Sequence, residues 1–154
     1  MKQFLLFLAI LLCGTISLTG QNINPGYDST LAKKLGADDR GMKSYVLVIL
    51  KTGKKEIQDK PTRDSLFAGH FKNISRLVDE GKLIVAGQLA KNVNSYRGIF
   101  ILNVTTFEEA NELLQADPTI KENIFDVELY KWYGSAALPM YIETHKKIEK
   151  RQIK

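Results

Sequence analysis

Two apolar runs, Leu83-Ile-Val-Ala-Gly87 and Gly98-Ile-Phe-Ile-Leu-Asn-Val104, lie on either side of a polar loop that contains Asn92, Asn94 and Ser95. Short runs that are rich in β-branched and aromatic residues, and that glycine, asparagine or serine bound, are typical of strands. The spacing of the two runs therefore predicts a β-hairpin in the middle of the chain. The segments on either side of this hairpin determine the fold to which it belongs.

A strand and a helix precede the hairpin. Ser44-Tyr-Val-Leu-Val-Ile-Leu50 is short, apolar and β-branched, which predicts the first strand. Apolar residues then recur at steps of three and four from Leu66 to Val78, with Thr62 in the position of an N-cap, and this pattern predicts a helix. We expect Gly81 to end that helix as its left-handed cap.

A second helix and a fourth strand follow the hairpin. Thr106-Phe-Glu-Glu109 matches the capping-box pattern, and the apolar positions after it predict a helix that ends at Asp117-Pro118. Phe125-Asp-Val-Glu-Leu-Tyr-Lys-Trp132 alternates in polarity and predicts the last strand. The order βαββαβ predicts an α+β, ferredoxin-like domain whose antiparallel sheet has the strand order 4-1-3-2 and carries both helices on one face.

The first predicted strand is apolar on both of its faces, and most of the third strand is too, whereas two helices can cover only one face of the sheet. An antiparallel sheet with one face open to water would show polar alternation, so we predict that the second face is covered. A two-fold dimer that packs sheet on sheet would cover it, and we predict a homodimer. The alternative is that the C-terminal extension, residues 134–154 with a helix over 136–147, covers this face within one chain.

The N-terminal residues 1–20 have the layout of a secretory signal peptide. Lys2 precedes the apolar run from Phe4 to Leu12, which is too short to span a bilayer, and a small and polar stretch ends at Gly20. We predict export to the periplasm or the exterior, with cleavage after Gly20, and a lead-in segment over residues 21–43. Cleavage would remove Cys13, so we expect the mature chain to have no cysteine for disulfides or thiolate chemistry.

The composition is that of one globular domain. With 154 residues, 44% hydrophobic and 25% charged, the chain is neither a disordered protein nor a multi-pass membrane protein. Its 22 basic and 17 acidic residues are interspersed, so we predict no nucleic-acid partner, and no membrane association once the signal peptide is removed. The sequence has no phosphate-binding glycine loop and no ligand cluster with metal spacing, so we predict neither a cofactor nor a metal.

One pair of residues has catalytic potential. His70 follows Phe67 by three residues and precedes Ile74 by four, so we expect it on the helix face that packs on the sheet. The two helices should be antiparallel, which brings the first half of one helix near Asp117 at the end of the other. A carboxylate beside a partly buried imidazole can fix its tautomer and raise its basicity, as a general base requires. The alternatives are a packed core histidine and an ordinary Asp-Pro helix stop.

These residues resemble a known family, the YciI-like (YCII-related) domain, over residues 44–133. The matching pieces are Ala68-Gly-His-Phe71, Gly81-Lys-Leu-Ile-Val-Ala-Gly87, Tyr96-Arg-Gly98, Glu108-Glu-Ala110 and Asp117-Pro118. The resemblance implies a ferredoxin-like subunit that pairs into a dimeric α/β barrel, with the family's histidine and aspartate at His70 and Asp117. It names no substrate, because the family has no single settled reaction. The signal peptide and the tail from Trp132 onward depart from the pattern and resemble an exported branch.

Two functions of different kinds are compatible with these features. The first is a cofactor-independent enzyme that acts on a small organic molecule, in which His70 transfers a proton and Asp117 orients the ring. The second is a non-catalytic dimer that binds a small ligand or another partner, in which the two residues form a satisfied structural pair. Haem binding through His70 is a third hypothesis that no motif supports.

Overall fold

The structure is a computed structural model in which residues 24–150 are described. The predicted signal peptide and its cleavage point lie outside the described residues. In chain order the elements are α1 (Ser29–Leu35), β1 (Met42–Thr52), α2 (Lys60–Asp79), β2 (Leu83–Gln88), β3 (Tyr96–Leu102), α3 (Phe107–Gln115), α4 (Pro118–Lys121), β4 (Phe125–Ser135), a 3₁₀ turn (Leu138–Met140) and α5 (Tyr141–Ile148).

The four strands form one antiparallel sheet with the order β2-β3-β1-β4. β1 is a central strand of the sheet. Its residue Val48 pairs with Phe100 of β3 on one side and with Leu129 of β4 on the other. Helix residues from α2 and α3, including Leu77 and Leu114, pack with one face of this sheet in a single apolar core. The α+β, ferredoxin-like architecture and the strand order predicted from the sequence are therefore confirmed.

The first helix of the domain begins before the predicted N-cap. Asp59 caps α2, because its side chain accepts a hydrogen bond from the backbone N–H of Thr62 at 2.9 Å. Thr62 therefore lies inside the helix, and Pro61 occupies the first turn, where its missing N–H and fixed φ are tolerated. At the other end Gly81 adopts the expected left-handed conformation, with φ of 67°.

The second helix is shorter than predicted, and a separate helix follows it. α3 ends at Gln115, and Asp117 caps the four-residue α4 that begins at Pro118. Pro118 excludes a helical conformation at the preceding residue, but it is favourable at the first position of a new helix. The Asp-Pro pair therefore starts a helix as well as separating it from α3.

The limits of the strands also differ from the prediction. β1 extends beyond residues 44–50 at both ends, β2 is one residue longer than predicted, β3 covers Tyr96–Leu102 instead of residues 98–104, and β4 continues to Ser135. Gly134 and Ser135 have turn-like composition, but they pair with Lys43 and Met42, so the sheet requires them in extended conformation.

The second face of the sheet is only partly covered by the chain itself. Tyr45, Ile84 and Ile101 are buried there, and Leu138 and Ile142 of the C-terminal extension pack against them. The Tyr141 hydroxyl also donates to the backbone carbonyl of Ile84 at 2.5 Å, so the extension contacts the edge strand β2. The alternative weighed from the sequence, coverage by the terminal segment, therefore holds for one end of this face.

The other end of the second face stays partly open. Leu47, Ile49 and Ile99 are only half-buried, and Tyr130 on β4 is 49% exposed. Lys51 forms an ion pair of 2.7 Å with Glu128 at the margin of these residues. We call Leu47, Ile49, Ile99 and Tyr130 the open patch.

Candidate active site

His70 lies on the buried face of α2, among aromatic rings. Its side chain is 7% exposed, and its ring stacks on Phe100 of β3, with a centroid distance of 6.0 Å and an interplanar angle of 23°. Phe67, Phe71 and Phe125 contact the imidazole edge-on at 6.3, 5.5 and 5.5 Å. These four phenylalanines, which we call the aromatic cage, enclose most of the ring.

Asp117 reaches this ring because α2 and α4 approach each other closely. Gly69 faces Pro118, and a Cβ on Gly69 would lie 2.6 Å from Cγ of Pro118. The absence of a side chain at Gly69 therefore permits the contact between the helices. Since His70 follows Gly69 and Asp117 precedes Pro118, the same contact brings the imidazole and the carboxylate together.

The two side chains form a short hydrogen bond. His70 Nδ1 lies 2.6 Å from Asp117 Oδ2. The other carboxylate oxygen, Oδ1, accepts from the hydroxyl of Thr119 at 2.6 Å and from its backbone N–H at 2.9 Å. Asp117 and Thr119 are completely buried, so water does not compete for these contacts.

The electrostatics of Asp117 favour the ionised carboxylate. Burial alone would raise the pKa of Asp117, but hydrogen bonds from His70 and Thr119 outweigh it and hold the pKa below its ordinary value. An anionic carboxylate only accepts hydrogen bonds, so His70 Nδ1 carries the proton that is shared with Asp117. The second ring nitrogen, Nε2, then has a lone pair that can accept a proton.

Nε2 is the accessible end of the pair. No hydrogen bond joins it to any described residue. Within residues 24–150, Asn73 Nδ2 is the one side-chain polar atom that is both closed to solvent and unpartnered, so Nε2 is not closed to solvent. Phe71 is the most exposed of the four cage residues, at 38%, whereas Phe67 is partly buried and Phe100 and Phe125 are buried, so we expect the approach to the imidazole to pass beside Phe71.

A surface groove of about 730 Å³ lies between α2, β2 and α5, but the pair is not part of it. Ile74, Val78 and Ile84 contribute apolar side chains to this groove, and neither His70 nor Asp117 lines it. Proton transfer requires a reacting group within hydrogen-bond reach of the base. We therefore place the candidate chemistry at the imidazole and not in the groove.

The structure brings together His70 and Asp117, the two residues predicted from the sequence, but the sequence did not predict their surroundings. Thr119 and the aromatic cage were not predicted as parts of the site. One signal pointed to Thr119: an aspartate followed by proline is the pattern of an N-cap and the first helical residue, and a hydroxyl two positions after the cap can return to its carboxylate. No comparable signal identifies the four phenylalanines, which come from α2, β3 and the start of β4.

The described part of the chain contains neither a cluster of metal-binding side chains nor a helix that could span a membrane. No group of three histidine, cysteine, aspartate or glutamate side chains between residues 24 and 150 is arranged to hold a metal ion. Over the same residues, none of the helices combines the length and the apolar character that crossing a bilayer demands.

Comparison with solved structures gives a distant similarity. The chain resembles 5-chloro-2-hydroxyhydroquinone dehydrochlorinase from Burkholderia phenoliruptrix AC1100, solved in complex with 2,5-dihydroxybenzoquinone, with 16% identity and a TM-score of 0.41. The similarity covers 56% of this chain and 92% of that chain. At this level it carries no argument about activity. No curated protein sequence matches the chain.

Comparison with protein families gives a direct match. The YCII-related domain matches residues 44–133, which include most of β1, the whole chain from α2 to α4 and most of β4. Both His70 and Asp117 lie within the matched residues, and the fold is the ferredoxin-like one described above. The chain therefore belongs to the YCII-related domain family.

Proposed function

We propose that the protein is a cofactor-independent enzyme that moves a proton on a small organic molecule, with His70 as the catalytic acid and base. The observation that carries this proposal is the contact of 2.6 Å between His70 Nδ1 and Asp117 Oδ2, while Nε2 has no hydrogen-bond partner among residues 24–150. A buried imidazole that is oriented by a carboxylate and has one free nitrogen is the arrangement used for general base catalysis.

The proton balance of such a reaction is simple. Nε2 takes a proton from an acidic carbon or hydroxyl of the substrate, and the imidazolium that forms is stabilised by the negative charge on Asp117. The proton then returns to another atom of the substrate, or to a leaving group. A positioned base of this kind typically contributes about 10²–10⁴ in rate, so substrate positioning must supply the rest.

The aromatic cage favours a substrate with an apolar body. Phe71 is partly exposed and lies edge-on beside the imidazole, and an exposed aromatic ring binds flat or apolar groups by stacking and burial. The limited exposure of the imidazole favours a small molecule over a polymer. We infer a small organic molecule, with its acidic proton next to an apolar or ring-shaped portion.

A second candidate function is a non-catalytic binding protein. The observation that favours it is the 7% exposure of the His70 side chain, which is also what a satisfied structural pair would show. In that case His70 and Asp117 connect α2 to α4, and ligand or partner binding occurs elsewhere on the surface. The two candidates differ in what a substitution at His70 does.

The test combines a binding screen with a substitution. Purified protein is screened with small organic molecules for ligand-induced changes of Tm, with His70→Ala in parallel, and compounds that stabilise only the parent are assayed for conversion by mass spectrometry. We expect His70→Gln to abolish conversion while the fold is kept, as judged by circular dichroism. Turnover that survives in His70→Gln would refute the role of His70. A large fall in Tm without any converted compound would favour the second candidate.

We further propose that two copies of the chain associate through the open patch. Three aliphatic side chains and Tyr130 leave apolar surface accessible there, and a two-fold interface pairs such a patch with itself. The ion pair between Lys51 and Glu128 is suitable for the polar rim of that interface. A dimer of this kind corresponds to the dimeric barrel that the family resemblance implies.

We also propose that the protein is exported and that its signal peptide is cleaved. The sequence layout of residues 1–20 supports it, and the test is expression of the full chain in a bacterial host, followed by cell fractionation and N-terminal sequencing. We expect the protein in the periplasmic or extracellular fraction, with Gln21 as its first residue. Recovery of the uncleaved chain from the cytoplasm would contradict the proposal.

A further inference from the structure

Thr119 is a completely buried polar residue that contacts both members of the pair. Its hydroxyl donates to Asp117 Oδ1 at 2.6 Å, and its backbone N–H donates to the same oxygen at 2.9 Å. The hydroxyl oxygen also lies 3.3 Å from His70 Nδ1. No role for this residue follows from the His70–Asp117 contact alone.

The two hydrogen bonds restrict how the Asp117 carboxylate can turn. The last torsion of an aspartate side chain has a broad and roughly two-fold profile, so an unrestrained carboxylate can present either oxygen to a neighbour. Here Oδ1 accepts both donors of Thr119, which leaves Oδ2 to face His70. The geometry of the His70–Asp117 contact therefore depends on Thr119.

The same contacts determine which nitrogen of His70 carries the proton. A threonine hydroxyl has one hydrogen, and in this site that hydrogen is directed to Asp117 Oδ1. The two oxygens that face Nδ1, one from Asp117 and one from Thr119, therefore both present lone pairs to it. An unprotonated Nδ1 would place a third lone pair against them, so the neutral ring is protonated at Nδ1 and not at Nε2.

We propose that Thr119 is a positioning residue, which holds Asp117 and His70 in the single arrangement that leaves Nε2 unprotonated. The catalytic consequence rests on the proposed function, because only an enzyme needs Nε2 as a base. The tautomer itself does not, since it follows from the hydrogen bonds. A serine at this position keeps the hydroxyl donor, whereas a valine keeps the size of the side chain and loses the donor.

The experiment measures the tautomer directly by ¹⁵N NMR of the histidine rings, at a pH where they are neutral. In the parent we expect widely separated Nδ1 and Nε2 resonances for His70, which indicate one tautomer. In Thr119→Val we expect the two resonances to move toward each other, because a carboxylate that is no longer held by the Thr119 hydroxyl turns away from Nδ1 part of the time, and the tautomer with the proton on Nε2 then becomes populated. Thr119→Ser should keep the parent pattern. His145, which is exposed on α5, gives a reference signal that we expect to be the same in all three proteins.

Each outcome decides the proposal. A single, parent-like tautomer in folded Thr119→Val would overturn it, as would a parent that shows both tautomers. If the valine variant does not fold, the parent decides alone: a Thr119 hydroxyl proton that exchanges slowly enough to give its own resonance supports the proposal, and one in fast exchange with water overturns it. An absence of turnover would refute the proposed enzyme but would leave these spectra unchanged, so the two failures can be distinguished.

Discussion

At the scale of single residues, the site provides hydrogen-bond partners for a buried carboxylate. Asp117 is 0% exposed, and an ionised carboxylate without partners would be very unfavourable in that position. Three donors satisfy it, namely His70 Nδ1 and the hydroxyl and backbone N–H of Thr119. The carboxylate can therefore stay charged in the interior, where it orients an imidazole whose other nitrogen is free.

The first prediction concerns the charge of Asp117 and the pH dependence of stability. In Asp117→Asn we expect the free energy of unfolding at neutral pH to fall by about 1–3 kcal/mol, because an amide cannot accept all three hydrogen bonds. The pKa of Asp117 is lower in the folded state than its ordinary value of 3.8. At pH values between the two pKa values of Asp117, the unfolded chain therefore binds more protons than the folded chain. The stabilising contribution of Asp117 is fully present above its pKa in the unfolded chain, and it is lost as the pH falls through its pKa in the folded chain.

Urea unfolding at a series of pH values measures this difference. The advantage of the parent over Asp117→Asn should be constant near neutral pH and should shrink in the acid range. A difference that persists unchanged into strong acid would show that the charge of Asp117 does not stabilise the fold.

The second prediction concerns access to His70. Diethylpyrocarbonate modifies neutral imidazoles that it can reach, and the chain has two histidines. We expect exposed His145 to react faster than His70 in the parent, and we expect Phe71→Ala to accelerate the reaction of His70 several-fold, because Phe71 borders the approach to the ring. Peptide mass spectrometry reports both sites in one sample. An unchanged ratio of the two rates would mean that Phe71 does not limit access.

The sequence predicts some residues of the candidate site and not others. His70 and Asp117 can be inferred because helix periodicity and antiparallel topology bring them together before any coordinates exist. Thr119 cannot be inferred with equal force, because a hydroxyl residue after Asp-Pro occurs in many turns and its direction depends on the packing of α4. The aromatic cage depends on side-chain directions in α2, β3 and β4 at once, which a pattern along the chain does not contain.

At the scale of elements, the close contact between α2 and α4 creates the site. α2 carries the imidazole, α4 is positioned by the Asp117 cap, and Gly69 allows them to meet at Pro118. Glycine in the interior of a helix is intrinsically unfavourable by about 0.8–1.0 kcal/mol relative to alanine. Its presence at position 69 is explained by this contact and not by the helix itself.

The third prediction uses this opposition between helix propensity and packing. Propensity alone predicts that Gly69→Ala stabilises α2, whereas the contact with Pro118 predicts the reverse. We expect Gly69→Ala to lower the free energy of unfolding by about 1–3 kcal/mol, as overpacking typically does. Because α2 and α4 must separate, the ¹⁵N signature of His70 should change as well.

The matched control is Ser65→Ala, at an exposed position of the same helix. It adds helix propensity without a new contact, so its stability should stay within about 0.7 kcal/mol of the parent. Stabilisation of both variants in chemical denaturation would show that the Gly69–Pro118 approach does not constrain the helices.

The types and the order of the helices and strands could be predicted from the sequence, whereas their first and last residues were predicted less accurately. The apolar periodicity of α2 and the hairpin of β2 and β3 are local properties, so the sequence indicates them well. The extension of β4 to Ser135 is not local, because Gly134 and Ser135 become extended only through pairing with β1. The start of α2 was ambiguous because Asp59 and Thr62 are both residue types that cap helices, and the structure uses Asp59, the better cap of the two.

At the scale of the whole molecule, the two faces of the sheet differ in what covers them. Helices α2 and α3 pack on one face. The C-terminal extension packs on one end of the other face, and the open patch occupies the rest. The sequence indicated that the second face needs a cover, but it did not show that the C-terminal extension covers only one end of it, because the path of residues 134–150 depends on tertiary packing.

The fourth prediction tests the proposed dimer. The parent is expected to behave as a dimer in sedimentation equilibrium, and Ile49→Lys as a monomer, because a buried lysine at the centre of the open patch disfavours association. Ile49 lies opposite Glu128 in the register, so a lysine there has an acidic neighbour and the fold should tolerate it. Val93→Lys, at a 99% exposed position in the β2–β3 loop, is the control and should remain dimeric. A monomeric parent would contradict the proposed association.

The contact between Tyr141 and the carbonyl of Ile84 has a consequence for the behaviour of the protein at high concentration. β2 is an outer strand, and outer strands with free peptide groups can recruit strands of other molecules and so begin fibril growth. The phenol occupies one of these peptide groups, and the helix that carries it obstructs the approach of a foreign strand. We therefore expect the C-terminal residues beyond the family domain to protect the molecule against polymerisation, independently of any chemistry at the imidazole.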